Sequence, residues 1–149
     1  MTKPWAEPAW WEFAVRGVML RGTVQGRTDD PTSDGAAVVA IHGGPDIDGG
    51  GLRHVLAPLA ARAKLVAPDL PGHGRSDLAA PQSWTLDDWA DDPADVIDKL
   101  AIHRPVVVGL SFGGWVALRY AARHPEQVGS LIIAATSARL SVEQTPGRR

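Results

Sequence analysis

From residue 36 onward the chain alternates two hydrophobic patterns. Short, uninterrupted apolar runs occupy residues 36–41, 65–68, 105–109 and 131–135. Valine-rich runs of this length, without polar alternation, predict strands covered on both faces. Between them lie stretches with helix-compatible spacing at 52–63, 86–100 and 112–123. Thr85 followed by Asp88 resembles a helix-start box, and Pro93 predicts a kink or a split in the second helix. Strands alternating with helices imply an α/β class with a mostly parallel sheet and helices on both faces. Upstream the pattern differs. Residues 12–16 alternate apolar and polar positions, 18–25 do so more loosely, and Gly17 between them predicts a hairpin. Residues 1–10, with Pro4 and Pro8, read as an irregular arm, 29–35 as a loop, and 137–149 as a polar tail.

Composition narrows the function classes. The chain has 149 residues, enough for one domain with a real core. A formal net charge of -2 gives no basic footprint for nucleic acid. No apolar run reaches the length of a membrane span, and the N-terminus has no apolar signal region, so a cytoplasmic location is expected. With no cysteine, disulfides, thiolate catalysis and cysteine–zinc sites are excluded.

The strongest chemical signal is Gly109-Leu110-Ser111-Phe112-Gly113, a G-x-S-x-G between a buried strand and a helix. A sharp strand-to-helix turn forces the serine into a strained conformation, and small residues on both sides let the backbones approach. The hydroxyl then stands at a helix N-terminus, where free N–H groups and the dipole favour negative charge. The plainer alternative is a glycine-rich helix start whose serine only caps. His42-Gly43-Gly44-Pro45 follows the 36–41 strand. Acyl transfer needs two donors aimed at the oxyanion of the tetrahedral intermediate. The Phe112 amide would be one and the Gly44 amide the other, since Pro45 has no N–H. His42 reads as a loop-stabilising residue, not a base. Asp69-Leu70-Pro71-Gly72-His73-Gly74-Arg75-Ser76 reads as a structural turn, with Asp69 binding loop amides. The six aspartates between Asp87 and Asp98 lack a calcium-loop pattern and read as a solvated helix face. Trp115 reads as packing.

In this order and spacing, HGGP, DLPGHGRSD and GLSFGGWVALRYAARHPEQV resemble the α/β-hydrolase superfamily, the match running from about Glu12 to Thr136 over the first six strands. The HGGP loop is similar to that of proline iminopeptidase-like and esterase-like members, although Asp46 stands where glycine usually follows. The resemblance implies a three-layer fold and a serine hydrolase acting on a carboxylic ester or amide-type small molecule, with Ser111 as nucleophile and Gly44 and Phe112 as the oxyanion hole. No metal and no cofactor are implied. Serine at the elbow argues against the dehalogenases and epoxide hydrolases, which carry aspartate there. The family order also implies an acid and then a histidine after the nucleophile. Beyond Ser111 the sequence has only His124, about 18 Å away along a twelve-residue helix, and no acid directly after the sixth strand; Glu143 is the first one downstream of it. The expectation is therefore a single, incomplete hydrolase domain over 1–149, truncated after about the sixth strand. Its exposed sheet edge would allow a homodimer, and the alternative function is a non-catalytic binding or assembly module.

Overall fold

A computed structural model describes residues 7–26, 36–44 and 48–138. Six strands form one sheet in the order β1-β2-β4-β3-β5-β6. They are β1 (Ala9–Val15), β2 (Val18–Gln25), β3 (Ala37–Ile41), β4 (Lys64–Pro68), β5 (Val106–Leu110) and β6 (Ser130–Ala134). β1 and β2 run antiparallel to their neighbours, whereas β4, β3, β5 and β6 are mutually parallel. This is the mostly parallel α/β sheet that the apolar runs predict.

The hairpin closes between Val15 and Val18, with Arg16 at φ 43° and Gly17 at φ 81°. Both turn residues have positive φ, as a type I′ hairpin turn requires, so arginine accepts a conformation that usually favours glycine or asparagine. β1 begins earlier than the sequence suggests. Ala9 and Trp10 pair with Val24 and Thr23, which shortens the expected arm of residues 1–10. Pro8 blocks pairing only at its own nitrogen, and Trp10 gains a second partner, the Arg75 guanidinium 3.9 Å from its ring centre. Residues 1–6 of that arm, the whole 29–35 loop, and residues 139–149 of the tail lie outside the described residues.

Three α-helices cover the sheet: α1 (Gly50–Leu56), α2 (Leu86–Lys99) and α3 (Phe112–Arg123). The single helix expected over 52–63 instead becomes α1 followed by a 3-10 turn, Ala57–Ala61. Pro58 explains the change, because it has no amide proton and its ring crowds the preceding turn. In α2 the outcome is the reverse. The Thr85 hydroxyl caps the Asp88 amide at 3.1 Å, as its box predicts, but Pro93 does not split the helix. Pro93 is buried near Leu20, Leu70 and Pro71, and this packing outweighs its missing hydrogen bond.

Alternate side chains of the parallel strands enter two cores. Val39, Ile41, Val66 and Val107 join Ala90, Val96 and Ile97 of α2 and Val116, Ala117 and Tyr120 of α3. Val38, Ala40, Leu65, Ala67 and Val108 face Ala60, Ala63, Leu52 and Leu56 on the α1 side. This period of two explains why these runs read as continuously apolar: both faces are covered. The result is three layers, with β3 and β5 in the middle of the parallel part.

The aspartates of α2 are not a freely solvated face. Asp87 and Asp91 receive Arg119 and Arg123 of α3, Asp98 accepts from Gln127 at 3.1 Å, and Arg16 pairs with Asp92 and Asp95. Positions 87, 91 and 98 recur at helical spacing, so they share the side that meets α3. The seam pins α2 to both α3 and the hairpin.

Candidate active site

Ser111 sits between the carboxyl end of β5 and the first residue of α3, with φ 51° and ψ -118°. Side chains other than glycine rarely adopt this conformation, and it persists only because the surroundings hold it. Its amide donates to the Ala134 carbonyl at 2.9 Å. Its carbonyl accepts from the Gly114 amide at 2.9 Å and from the Thr136 hydroxyl. The close approach that the motif requires is visible at both flanking glycines. A Cβ on Gly109 would meet the Gly113 carbonyl at 2.6 Å, and one on Gly113 would meet the Ile41 and His42 carbonyls at 2.3 Å. Any side chain there would push α3 away from β3 and β5.

The Ser111 residue is exposed and opens into a cleft of about 900 Å³. Gly44 and Phe112 line the same cleft, and a Cβ on Gly44 would lie 3.8 Å from that of Phe112. The structure thus brings together the three residues singled out in the sequence. The other lining residues are His73, Trp89, Trp115 and the segment Ala135, Thr136 and Ser137.

His42 is fully buried, and both ring nitrogens are engaged. Nε2 accepts the Leu70 amide at 3.0 Å, so Nδ1 carries the proton and donates to the Gly43 carbonyl at 2.6 Å. Asp69 accepts the Gly49 amide at 2.8 Å and the Arg75 amide at 3.1 Å. Both residues hold loops, as the sequence implied. His124 turns to Asp91, with Nε2 2.8 Å from Oδ1, at the far end of α3 from Ser111. Arg123 binds the same carboxylate through two nitrogens at 2.8 and 2.9 Å. These contacts, the Arg123 hydrogen bond foremost and His124 next, hold the Asp91 pKa down at about 2. Among the described residues no cluster of three or more metal-ligating groups forms.

Sequence reasoning missed part of the cleft. Trp89 lies on α2 with no local motif to mark it, and residues 135–137 carry no chemical signature beyond small size. Trp115 is more than packing: it walls the cleft while its indole N–H donates to the Ser137 carbonyl at 2.9 Å.

The strained serine, the crowded glycines and the adjoining Gly44 loop form one sharp strand-to-helix turn beside a cleft, and a family profile described as alpha/beta hydrolase fold matches residues 36–147. The chain belongs to the α/β hydrolase family. Within it, the chain is 39% identical over 101 residues to a 2-hydroxymuconate semialdehyde hydrolase of a Pseudomonas species, covering 66% of this chain and 36% of that protein. It is 41% identical over 114 residues to the pimeloyl-[acyl-carrier protein] methyl ester esterase of Chromobacterium violaceum, covering 74% and 41% respectively. Wild-type Cfl2 of Burkholderia cenocepacia superimposes with a TM-score of 0.76 at 29% identity, over 91% of this chain and 46% of that one. The chain spans less than half the length of these α/β hydrolase relatives. Among the described residues no helix is long and apolar enough to cross a membrane.

Proposed function

We propose that this chain is a serine hydrolase acting on a carboxylic ester or amide-type small molecule, with Ser111 as its nucleophile. The observation that carries this reading is the backbone of Ser111, held at φ 51° at the mouth of an open cleft. Strained backbone clusters at active sites and ligand clamps, and unlike Arg16 in its hairpin turn, Ser111 combines it with a ψ of -118° and an open cleft. In the reaction the Ser111 Oγ forms a bond to the substrate carbonyl carbon, and the carbonyl oxygen takes the negative charge. The Phe112 amide is the first of α3 and has no carbonyl partner within its own helix, so it suits that oxyanion; the Gly44 amide is the second donor. The serine proton must pass to a base. The acid–histidine pair that the described residues do form, Asp91 with His124, is committed to the α2–α3 seam. With that pair committed elsewhere, the serine proton passes to solvent water, the tetrahedral intermediate expels the alcohol or amine as it collapses, and water then hydrolyses the acyl-enzyme, so that oxyanion binding by the described residues sustains a weak reaction.

Labelling with an alkyl fluorophosphonate tests this. The expected result is phosphonylation of Ser111 in the folded protein and none in Ser111→Ala; a folded chain that stays unlabelled overturns it. A second reading, an assembly module on a hydrolase scaffold, is favoured by one feature. Among the described residues β6 pairs only with β5, and its Ile132 is 51% exposed. That reading requires a dimer by light scattering and a functionally silent Ser111→Ala.

A further inference from the structure

We propose that the cleft beside Ser111 receives an uncharged, apolar acyl group, seated on an aromatic wall formed by Trp89, Phe112 and Trp115. The proposal rests on the reading of Ser111 as nucleophile and names what that nucleophile acts on. Three rings stand in sequence along the cleft. Trp89 of α2 meets Phe112 edge to face, with centroids 4.8 Å apart and planes at 88°. Phe112 meets Trp115 in the same manner at 6.2 Å and 81°. Phe112 therefore ties the proposed oxyanion donor to the centre of the wall, so a carbonyl at Ser111 has its attached chain beside the rings. Because the Trp115 indole N–H is already spent on Ser137, the ring presents carbon to the cleft. Edge-to-face rings of this kind offer apolar contact without demanding a hydrogen bond.

The charges around the cleft point the same way. Among its described lining residues there is no lysine, arginine, aspartate or glutamate, and His73 is the sole ionisable side chain. Arg119, one turn along α3 from Trp115, is tied to Asp87, one contact being 3.1 Å. A carboxylate on the acyl chain would lose hydration here and find no cation in exchange, a costly transfer.

The experiment uses Ser111→Ala, which cannot turn over an ester, and compares two ligands of equal chain length by calorimetry. Methyl hexanoate is neutral throughout; monomethyl adipate ends in a carboxylate. The neutral ester is expected to bind about tenfold or more tightly than the anion, and Trp115→Ala to weaken it about tenfold. Trp89→Ala, on the other helix, is expected to weaken it in the same direction and serves as the second variant if Trp115→Ala does not fold. Equal or tighter binding of the anion, no binding of the neutral ester, or full affinity in the folded tryptophan variants overturns the proposal. Fluorophosphonate labelling of the unaltered chain separates the two readings. A labelled Ser111 with no ligand preference sinks the apolar pocket and leaves the nucleophile; an unlabelled Ser111 with a clear preference does the opposite.

Discussion

The hydroxyl of Thr136 donates to the carbonyl of Ser111, the same oxygen that accepts the Gly114 amide. Through this contact the segment after β6 braces the elbow from outside the helix. The fit is close, since a Cβ on Gly114 would meet the Thr136 Oγ1 at 2.3 Å. Replacing Thr136 by valine keeps the shape and removes the donor. The carbonyl keeps its second partner, so the expected loss is about 1 kcal/mol in urea unfolding. Ser111 labelling should slow as well, because the strained turn has lost one of its restraints. A valine variant with unchanged stability and unchanged labelling would make the brace irrelevant.

Ser111 itself stores strain, and glycine would release it. A residue in a sparsely populated backbone region costs about 1–3 kcal/mol. Ser111→Gly is expected to raise the urea midpoint, by about 1 kcal/mol after the flexibility that glycine adds to the unfolded chain. Ser111→Ala, which keeps the Cβ, should leave stability close to that of the unaltered chain. Both abolish labelling. If glycine and alanine prove equally stable, the backbone at this position is relaxed in solution.

Much of this arrangement was legible because its cause is local. The 36–41 and 105–109 runs are apolar throughout since β3 and β5 are covered on both faces, and Gly109 and Gly113 are forced by carbonyls within 2.6 Å of any Cβ there. The His42 and Asp69 roles also followed from loop position. What stayed hidden depends on distant partners. Pro93 reads as a helix breaker, yet α2 runs through it because of packing against Leu20 and Leu70. Pro58 tightens the chain after α1 because, exposed to solvent, it has no comparable packing to compensate it. The aspartate run reads as solvated until α3 is laid beside it and brings Arg119, Arg123 and His124 into reach. Trp89 lines the cleft beside Phe112, 23 positions later in the chain.

The Asp91 carboxylate gives the seam a pH signature. Its pKa of about 2 in the folded chain lies below the ordinary 3.8, owing first to Arg123 and then to His124, against the opposing effect of burial. A depressed carboxylate contributes stability above its unfolded pKa and loses it as pH falls through the folded one. Between pH 4 and pH 2 the unaltered chain should therefore lose stability that Asp91→Asn lacks from the outset. At pH 7 the asparagine variant should be weaker by about 1 kcal/mol, since the pair is partly exposed and screened. His124→Ala should leave Ser111 labelling unchanged, which checks that this imidazole serves the seam and not the nucleophile.

Asp92, one residue along, should show the opposite dependence. Only 8% of it is exposed, and burial pushes its pKa up to about 7, outweighing the attraction of Arg16; Asp95, Asp88 and Asp91 push the same way. The folded chain thus holds a proton that the unfolded chain releases near 3.8. Stability from this group is present below that value and disappears as pH rises through about 7. Asp92→Asn mimics the protonated form, so its urea midpoint should match the unaltered chain near pH 4 and exceed it at pH 8. Arg16→Ala removes the opposing cation and should move the loss to higher pH, while freeing the hairpin from α2. An asparagine variant less stable than the unaltered chain at pH 8 would mean that the ion pair with Arg16 outweighs the cost of burial, and that Asp92 stays charged at neutral pH.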